Sequence, residues 1–396
     1  MRACMRRNDR TTAVILAAGE GRRLAPLTNR RPKPMLPVVN KPLLEHVVEA
    51  VVGAGIDRIV LVVGYQRKRI QTYFGDGDEW GIDIEYAVQR TQLGTAHALE
   101  QAAPLVEGRF VALNGDRLLT SEIVDQIADS SDDTTVTMAV TRASDPSTYG
   151  VVSLDGTVVT SIVEKPGPEA QSRVINAGVY GFTQTIFDVI EKTDPGPDGE
   201  YRLTDAIGQL VDSRDRVRAV QYNGRWLDVS HPWDLLSVTG QLLDTAGKAT
   251  LGQRGAGAEV SDAARLADTA SVGTSVVVGR GTVVGENARI GANATVERSV
   301  VFPDATVEAG AVLRDCIVGA NASVGANTTV PGGAATVTLA GDVYEGVRLG
   351  GVIGDNTTVG GGATLHPGTI LGDSVKIAPG VSVSGTIDDE TAVRSG

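Results

Sequence analysis

Glycines and arginines are concentrated in a short turn near the start of the chain. Residues 16–24 read Leu-Ala-Ala-Gly-Glu-Gly-Arg-Arg-Leu and continue an apolar run that begins at residue 13. Backbone N–H groups in such a turn can approach phosphate oxygens closely. A dinucleotide-binding fingerprint needs a third glycine where Leu24 stands, and a P-loop needs Gly-Lys-Ser or Gly-Lys-Thr, which the turn lacks. The turn therefore predicts a phosphate site of neither common kind.

A lysine between two prolines follows the turn. Residues 31–38 read Arg-Pro-Lys-Pro-Met-Leu-Pro-Val, so prolines restrict the backbone on both sides of Lys33. Residues 1–41 carry ten Lys and Arg against two acids, whereas the other 355 residues carry 26 against 46. One basic neighbourhood in a chain of net charge −12 predicts a small polyanionic ligand. The net charge argues against nucleic acid or an anionic membrane as a partner.

An aspartate stands at the end of a predicted strand. Asn114-Gly115-Asp116 closes the apolar run at residues 109–114. Open α/β sheets bind ligands at the carboxyl ends of their strands, and a carboxylate there can hold Mg²⁺. An isolated Gly-Asp is more often an ordinary turn, and Asp228 further along the chain has a second interpretation as a helix cap beside Ser230. Taken singly, both acids leave the two interpretations open.

The glycine-rich turn at residues 16–24, followed by the Lys33 segment at residues 31–38, resembles the signature of the sugar-1-phosphate nucleotidylyltransferases. That signature is G-x-G-T-R-L followed by P-K-P-x-L-P. Arg22 stands where the family usually has Thr, and Arg117 stands where it often has a small or amide residue. Further matches are Gln89, Gln92-Leu93-Gly94-Thr95-Ala96, Tyr149-Gly150, Glu164-Lys165-Pro166, Asn176-Ala177-Gly178, Leu203-Thr204-Asp205-Ala206 and Trp226-Leu227-Asp228-Val229. Their order and spacing favour a catalytic over a structural interpretation.

The resemblance implies a set of binding residues. For the nucleotide they are Leu16, Ala18, Gly19, Gly21, Arg23, Gln89, Gly94 and Thr95. For the sugar 1-phosphate they are Gly150, Glu164, Lys165 and Asn176. The implied metal ligands for Mg²⁺ are Asp116 and Asp228, and the implied catalytic cations are Arg23, Lys33 and Lys165.

The implied reaction transfers a nucleoside monophosphate to a hexose 1-phosphate and releases pyrophosphate. The resemblance of the Gln89 region to a pyrimidine-reading segment favours UTP or dTTP, which differ by one methyl group. Glucose 1-phosphate is our first choice of acceptor. The sugar phosphate is already anionic at neutral pH, so the reaction needs no covalent nucleophile. The site must instead gather cations that bring two polyanions together for an in-line attack.

The elements that position these residues form a predicted α/β domain at residues 11–247. Short apolar runs alternate with amphipathic stretches, and beyond residue 134 the strands crowd together. We expect a Rossmann-like nucleotidyltransferase domain with a mixed, mainly parallel sheet. The predicted strands are 13–17, 58–63, 82–87, 109–114, 136–141, 151–154, 158–163 and 174–182, and the predicted helices are 42–52, 66–74 and 94–102.

Apolar residues recur at every sixth position in the last third of the chain. The three series are Val278, Val284, Ile290, Val296 and Phe302; Val312, Val318, Val324 and Val330; and Ile353, Val359, Leu365, Leu371, Ile377 and Val383. This period predicts a parallel β-helix of hexapeptide repeats, whose axis takes one such residue from each short strand. The series pauses at residues 331–352, where we expect a loop to leave the coil. The resemblance implies a left-handed coil and a trimer formed through it.

The domain boundary falls in a Gly- and Ala-rich stretch. We predict a disordered tail at residues 1–10, a linker at 248–258 and a β-helix domain at 259–396. No apolar run approaches the about 20 residues of a membrane span and nothing resembles a signal peptide, so we expect a cytoplasmic protein. Cys4 and Cys316 indicate free thiols rather than a disulfide or a zinc site.

Two other functions fit the same two-domain plan. A bifunctional N-acetylglucosamine-1-phosphate uridylyltransferase and acetyltransferase would need a histidine base in the β-helix. His366 is one candidate, but residues 331–349, where the bifunctional type carries its histidine, contain none. A non-catalytic regulatory subunit is the other alternative. Such subunits often lose the cations or metal acids that this chain retains in Arg23, Lys33, Asp116, Lys165 and Asp228.

Overall fold

The computed structural model describes residues 11–130, 134–167, 172–213, 215–245 and 252–394. The chain divides into two compact units. The first takes its described residues from Met1–Glu20 and Leu43–Leu227, and the second from Gly21–Pro42 and Asp228–Gly396. The segment 21–42 thus belongs to the second unit, although most of the first unit follows it in sequence. The tail predicted at residues 1–10 and the beginning of the predicted linker lie outside the described residues.

A nine-stranded sheet forms the centre of the first unit. Its strands are β1 (Thr12–Ala17), β2 (Arg58–Val63), β3 (Asp83–Val88), β4 (Phe110–Asn114), β5 (Val136–Arg142), β6 (Gly150–Asp155), β7 (Val158–Glu164), β8 (Val174–Phe182) and β9 (Val217–Gln221). Their order is β3-β2-β1-β4-β8-β5-β9-β7-β6, and β8 also pairs with β6. Strands β1 to β4 are parallel, whereas β8 is antiparallel to β4 and β5. The predicted mixed sheet is confirmed.

Helices with one apolar face accompany this sheet. They are α1 (Leu43–Gly53), α2 (Arg67–Phe74), α3 (Thr95–Glu100), α4 (Ser121–Ala128), α5 (Thr185–Glu191) and α6 (Leu203–Asp212). Helix α6 shows the pattern: Leu203, Ala206, Ile207 and Leu210 recur at helical spacing and join the same buried cluster as Met138 of β5.

Three parallel sheets of short strands form the predicted β-helix in the second unit. Sheet one contains Gln253–Arg254, Ser271–Val272, Arg289–Ile290, Thr306–Val307, Ser323–Val324, Thr358–Val359, Lys376–Ile377 and Ala392–Val393. Sheet two contains Glu259–Val260, Val277–Val278, Thr295–Glu297, Val312–Arg314, Thr329–Val330, Thr364–Leu365 and Ser382–Val383. Sheet three contains Ala264–Leu266, Thr282–Val284, Val300–Val301, Cys316–Val318, Gly351–Ile353, Thr369–Leu371 and Thr386–Ile387. The architecture is consistent with the predicted left-handed coil.

Two of the predicted axial residues are wrong. A constant period of six places Phe302 and Val312 on the axis, but the axial cluster contains Val301 and Leu313 instead. The steps that lead to Val301 and to Val318 are five residues long, because the coil loses one residue at two corners. Since neighbouring side chains of a strand point to opposite faces, a shift of one residue turns Phe302 and Val312 away from the axis.

A β-hairpin leaves the coil where the series pauses. Its strands, Ala334–Leu339 and Asp342–Arg348, pair in antiparallel orientation, which confirms the predicted excursion at residues 331–352. Helix α7 (Pro232–Thr245) also belongs to the second unit and contacts the strands Thr282–Val284 and Cys316–Val318 of sheet three. Within the described part of the chain, no helix is long and apolar enough to cross a membrane.

Candidate active site

The first unit brings together three of the predicted sugar-binding residues. Gly150 begins β6 and Glu164 ends β7, and the two are paired across these strands. A Cβ atom on Gly150 would lie 3.0 Å from Oε2 of Glu164 and 3.6 Å from Cβ of Asn176 on β8. The hydroxyl of Thr204 donates to Oε2 of Glu164 at 3.1 Å and orients the carboxylate. The amide of Asn176 and the carboxylate of Glu164 thus lie close to Gly150, which has no side chain.

Lys165 stands beside this group in an unusual backbone conformation. Its φ of 45° lies in the left-handed region, which costs a residue other than glycine roughly 1–2 kcal/mol. The amide of Lys165 donates to the carbonyl of Tyr149 at 3.0 Å and maintains this conformation. Strained residues that the surrounding structure maintains concentrate at functional sites. The conformation favours the predicted role of Lys165 at the sugar phosphate.

Tyr180 belongs to the same group, and the sequence analysis missed it. Nδ2 of Asn176 donates to the hydroxyl of Tyr180, while Oδ1 of Asn176 accepts from the amide of Gly178 at 3.0 Å. Burial raises the pKa of Tyr180, so the phenol stays neutral and fixes the amide as a hydrogen-bonding group. A regular strand would separate the two residues by about 13 Å, and an irregularity of β8 between them brings them together, so no local spacing reveals the pair.

The glutamine predicted in the base-reading segment supports the loop that follows it. Gln89 is 4% exposed, and its Nε2 donates to the carbonyl of Gly94 at 3.0 Å and lies 3.0 Å from Nδ1 of His97. Gly94 has a φ of 105°, and a Cβ atom there would collide with the carbonyl of Tyr201. The side chain of Thr95 accepts from the amide of Leu203 at 3.0 Å. Gln89 therefore contacts Gly94, the neighbour of Thr95, and its side chain is turned inward.

The end of β1 is tied to the neighbouring loops through its carbonyl groups. The carbonyl of Leu16 accepts from the amide of Gly115 at 2.9 Å, and that of Ala18 accepts from Nε2 of Gln92 at 2.9 Å. A Cβ atom on Gly19 would have no neighbour within 4 Å, so this residue leaves open space at the turn. Hydrogen bonds thus hold the start of the turn in place, and the space beside Gly19 is not filled by other atoms.

Arg117, which departs from the family pattern, lies over two aromatic rings that contact each other. Its Cζ is 5.7 Å from the ring centroid of Tyr149 and 5.3 Å from that of Trp226. Its Nε lies 3.9 Å from Oδ1 of Asp116. Cation–π contacts contribute about 0.5–2 kcal/mol, depending on desolvation. The two rings accommodate a bulky cation next to the predicted metal ligand, and the sequence analysis did not assign them this role.

In the second unit the glycine-rich turn packs against the predicted catalytic lysine. Gly21 has a φ of 76°, and a Cβ atom there would lie 2.7 Å from Cβ of Lys33, so only glycine fits. The hydroxyl of Thr28 donates to the carbonyl of Gly21 at 3.0 Å. Arg23 is exposed in the short helical turn Arg22–Leu24. We refer to residues 21–38 as the signature loop.

Asp228 meets Lys33 in the same unit. Nζ of Lys33 lies 3.9 Å from Oδ1 of Asp228, and the two side chains are 12% and 7% exposed. Oδ2 of Asp228 accepts from the hydroxyl of Ser230 at 2.8 Å. The amides of Ser230 and His231 donate to Oδ2 of Asp234, so Asp234 caps α7. These two amides before α7 are thus satisfied by Asp234, and Asp228 holds the hydroxyl of Ser230.

Both predicted metal ligands are carboxylates, which Mg²⁺ prefers. Asp116 belongs to the first unit and Asp228 to the second. Among the residues that the structure describes, no group of three or more His, Cys, Asp or Glu could hold a metal ion. Mg²⁺ commonly binds one or two protein carboxylates and completes its shell with substrate phosphates and water. A carboxylate in either unit therefore fits an ion that binds together with a triphosphate.

Known protein families account for both parts of the chain. The model of the nucleotidyl transferase family matches residues 12–245, which is more than half of the chain. This chain belongs to that family. The family match confirms the resemblance found in the signature loop and in the motifs that follow it. A second family model, the GMPPB C-terminal domain, matches residues 260–388.

Several relatives of the family are similar to this chain. It is 37% identical over 235 residues to the bifunctional protein GlmU of Methanococcus maripaludis, across 59% of this chain and 54% of that protein. It is 34% identical over 242 residues to the UTP–glucose-1-phosphate uridylyltransferase AglF of Haloferax volcanii, across 60% of this chain and 99% of that protein. A crystal structure of UDP-glucose pyrophosphorylase complexed with UDP-glucose matches with 25% identity and a TM-score of 0.54, across 60% and 99% of the two chains. The chain spans about half the length of the GlmU relatives that it matches.

Proposed function

We propose that this protein transfers a nucleoside monophosphate from UTP or dTTP to a hexose 1-phosphate, with glucose 1-phosphate as the favoured acceptor. The observation that carries the proposal is the convergence of Gly150, Glu164 and Asn176, with Lys165 beside them. A carboxylate and an amide can bind sugar hydroxyls, and a lysine can bind the phosphate of the same ligand. Membership of the family and the similarity to AglF support the proposal.

The reaction is a displacement at the α-phosphorus of the nucleotide. An oxygen of the sugar phosphate forms a bond to that phosphorus, and the bond to the departing pyrophosphate breaks in line with it. Lys165 binds the sugar phosphate, Lys33 brings the triphosphate to it, and Arg23 binds the β and γ phosphates. Asp116 and Asp228 would hold Mg²⁺, which would supply positive charge to offset that of the triphosphate.

Pyrophosphate release tests this proposal. Purified protein with Mg²⁺ is given UTP, dTTP, ATP or GTP in combination with the 1-phosphates of glucose, N-acetylglucosamine, galactose or mannose. We expect turnover with a pyrimidine triphosphate and glucose 1-phosphate, and its loss in Asp116→Ala. No turnover by folded protein with any pair contradicts the proposal and favours a regulatory subunit.

An enzyme that also transfers an acetyl group is the second candidate. The similarity to the bifunctional protein GlmU favours it, and the exposed His366 lies with Nε2 2.8 Å from the hydroxyl of Ser382 in the β-helix. The test for acetyl transfer measures release of free thiol from acetyl-CoA with glucosamine 1-phosphate. It compares the wild type with His366→Ala. We expect no release, because residues 331–349 supply no histidine.

A further inference from the structure

Three aspartates occupy the same corner of three successive coils of the β-helix. Oδ1 of Asp355 accepts from the amide of Ala320 at 2.8 Å. In the next two coils, Oδ1 of Asp373 accepts from the amide of Asp355, and Oδ1 of Asp389 accepts from the amide of Asp373, both at 2.7 Å. Each aspartate thus ties its coil to the preceding coil through one oxygen. We call Asp355, Asp373 and Asp389 the aspartate ladder.

The second oxygen of each aspartate accepts a hydrogen bond from the signature loop. The donors are three consecutive residues: Asn29 donates to Asp389 at 3.2 Å, Arg30 to Asp373 at 3.3 Å and Arg31 to Asp355 at 2.5 Å. Positions 268, 286, 303 and 320 precede Asp355 in the same corner and are Asp, Glu, Pro and Ala, so aspartates stand in successive coils of this corner only where the loop donates to them. One residue of the loop is therefore matched to each coil.

Arg31 and Asp355 form the best defined of these contacts. Their side chains are 12% and 5% exposed, whereas Arg30 is 48% exposed and its ion pair contributes little. Nη1 of Arg31 donates to the carbonyl of Leu27 at 3.3 Å, and its Cζ lies 5.0 Å from the ring centroid of Phe302. The guanidinium therefore has three different partners that together define its position.

The position of Arg31 determines that of the catalytic segment. Pro32 and Pro34 restrict the backbone on both sides of Lys33, so little rotational freedom separates Lys33 from the anchored Arg31. Lys33 in turn packs against Gly21 of the phosphate-binding turn. Beyond the loop, Nδ2 of Asn40 donates to the carbonyl of Val284 at 3.2 Å, which ties the segment to sheet three as well.

Buried ion pairs are better suited to defining a position than to adding stability. Desolvation of two charges offsets most of their attraction, and their best attested role is to select one register. The aspartate ladder requires three loop residues to meet three coils at once.

We propose that the aspartate ladder positions the signature loop for nucleotidyl transfer, with Arg31 and Asp355 as the principal positioning residues. This inference rests on the proposed function, in which Lys33 acts on the phosphates. It assigns the β-helix a part in the catalysis of its own chain, in addition to any role in assembly.

The test replaces Asp355 by Asn, which keeps the size of the side chain and the Oδ1 acceptor for Ala320. The new amide nitrogen faces Arg31 and removes the ion pair. We expect kcat to fall about 10- to 100-fold because the reacting groups are slightly misplaced. We expect KM for the sugar 1-phosphate to stay within about twofold, since that ligand is bound by residues of the first unit. Amide hydrogen exchange should become faster at residues 30–36.

A second variant and a control complete the test. Arg31→Gln should produce the same losses. The kcat of the double variant should be no lower than that of the less active single variant, because the two residues act as one unit. Asp304→Asn serves as the control, since Asp304 is an exposed corner aspartate that accepts from Asn287 within the β-helix. The control should match the wild type in kcat and in hydrogen exchange.

Each outcome leads to a decision. Wild-type turnover that both Asp355→Asn and Arg31→Gln leave within about twofold overturns this inference and leaves the proposed function standing. No turnover by the wild type overturns the proposed function and this inference with it. Where circular dichroism shows that Asp355→Asn is misfolded, Arg31→Gln alone decides, because it leaves the β-helix sequence unchanged.

Discussion

At the scale of single residues, the two lysines assigned to phosphate are positioned in different ways. Lys33 is placed by its neighbours Gly21 and Asp228, whereas Lys165 is placed by its own left-handed backbone. We predict that Lys33→Ala and Lys165→Ala each lower kcat/KM about 10²- to 10³-fold, the usual effect of removing a preorganised electrostatic group. Initial rates of pyrophosphate release measure this effect.

The two losses should differ in kind. Lys165→Ala should raise KM for the sugar 1-phosphate, whereas Lys33→Ala should act mainly on kcat and on KM for the triphosphate. Lys192→Ala, at an exposed position after α5, is the matched control and should retain wild-type kinetics. If Lys33→Ala and Lys165→Ala had the same kcat and KM as Lys192→Ala, neither lysine would contact the reacting groups.

At the scale of elements, the hairpin of the β-helix is anchored by one buried acid. Asp315 has a side chain only 3% exposed and accepts hydrogen bonds from Arg298 at 2.7 Å, Arg348 at 3.0 Å and the amide of Gly333 at 3.0 Å. Burial alone would raise the pKa of Asp315, but these hydrogen bonds outweigh it and hold the pKa below the ordinary value. The ionised form is therefore favoured in the folded protein.

This lowered pKa predicts a pH-dependent contribution to the stability of the hairpin. The contribution is complete above the unfolded pKa of about 3.9 and is lost as the pH falls through the lower folded pKa. Asp315→Asn should lower the free energy of hairpin opening by about 1–3 kcal/mol at neutral pH, because buried donors lose a charged acceptor. The difference from the wild type should shrink in acid.

Hydrogen exchange of the hairpin amides measures this opening, after correction for intrinsic rates at about pH 7 and about pH 3. Asp342→Asn, an exposed aspartate of the same hairpin, is the control and should not change protection at either pH. A difference between Asp315→Asn and the wild type that grows in acid would contradict the assignment.

At the scale of the whole molecule, the resemblance predicts a homotrimer through the β-helix. The outer face of sheet three is already buried within the chain; its residues are Val283, Val300, Ile317, Val352 and Ile370. Sheet one carries the outward cations Arg289 and Lys376. In sheet two, Glu259 precedes the axial position of the first coil, whereas the residues before the later axial positions are uncharged: Val277, Thr295, Val312, Thr329, Thr364 and Ser382. Sheet two is therefore the face that we expect to contact other copies.

Light scattering tests this expectation. We predict a particle of three times the 41.2 kDa chain mass, and a smaller particle for Val277→Arg, because an unpaired cation in an apolar contact is costly. Thr358→Arg places the same charge on an exposed position of sheet one and should leave the mass unchanged. A monomeric wild type, or dissociation by Thr358→Arg alone, would show that sheet two is not the interface.

The family, the order of the motifs and the two kinds of fold could all be predicted from the amino-acid sequence. Motif spacing such as that around Lys33 is local, and the period of six follows from the geometry of one short strand after another. The members of the sugar-binding group could also be predicted, because Gly150, Glu164 and Asn176 each stand in a short motif. These features depend on residues close together in the chain.

Features that join distant residues became visible only in the folded structure. The inward turn of the Gln89 side chain follows from its contact with His97, and the two five-residue steps of the coil move the axis to Val301 and Leu313. Arg31 and Asp355 are 324 residues apart, and Asn29 and Asp389 are 360 residues apart. No local pattern couples partners at such separations. They meet because the N-terminal segment and the coil pack into one unit, whose side-chain contacts form only on folding.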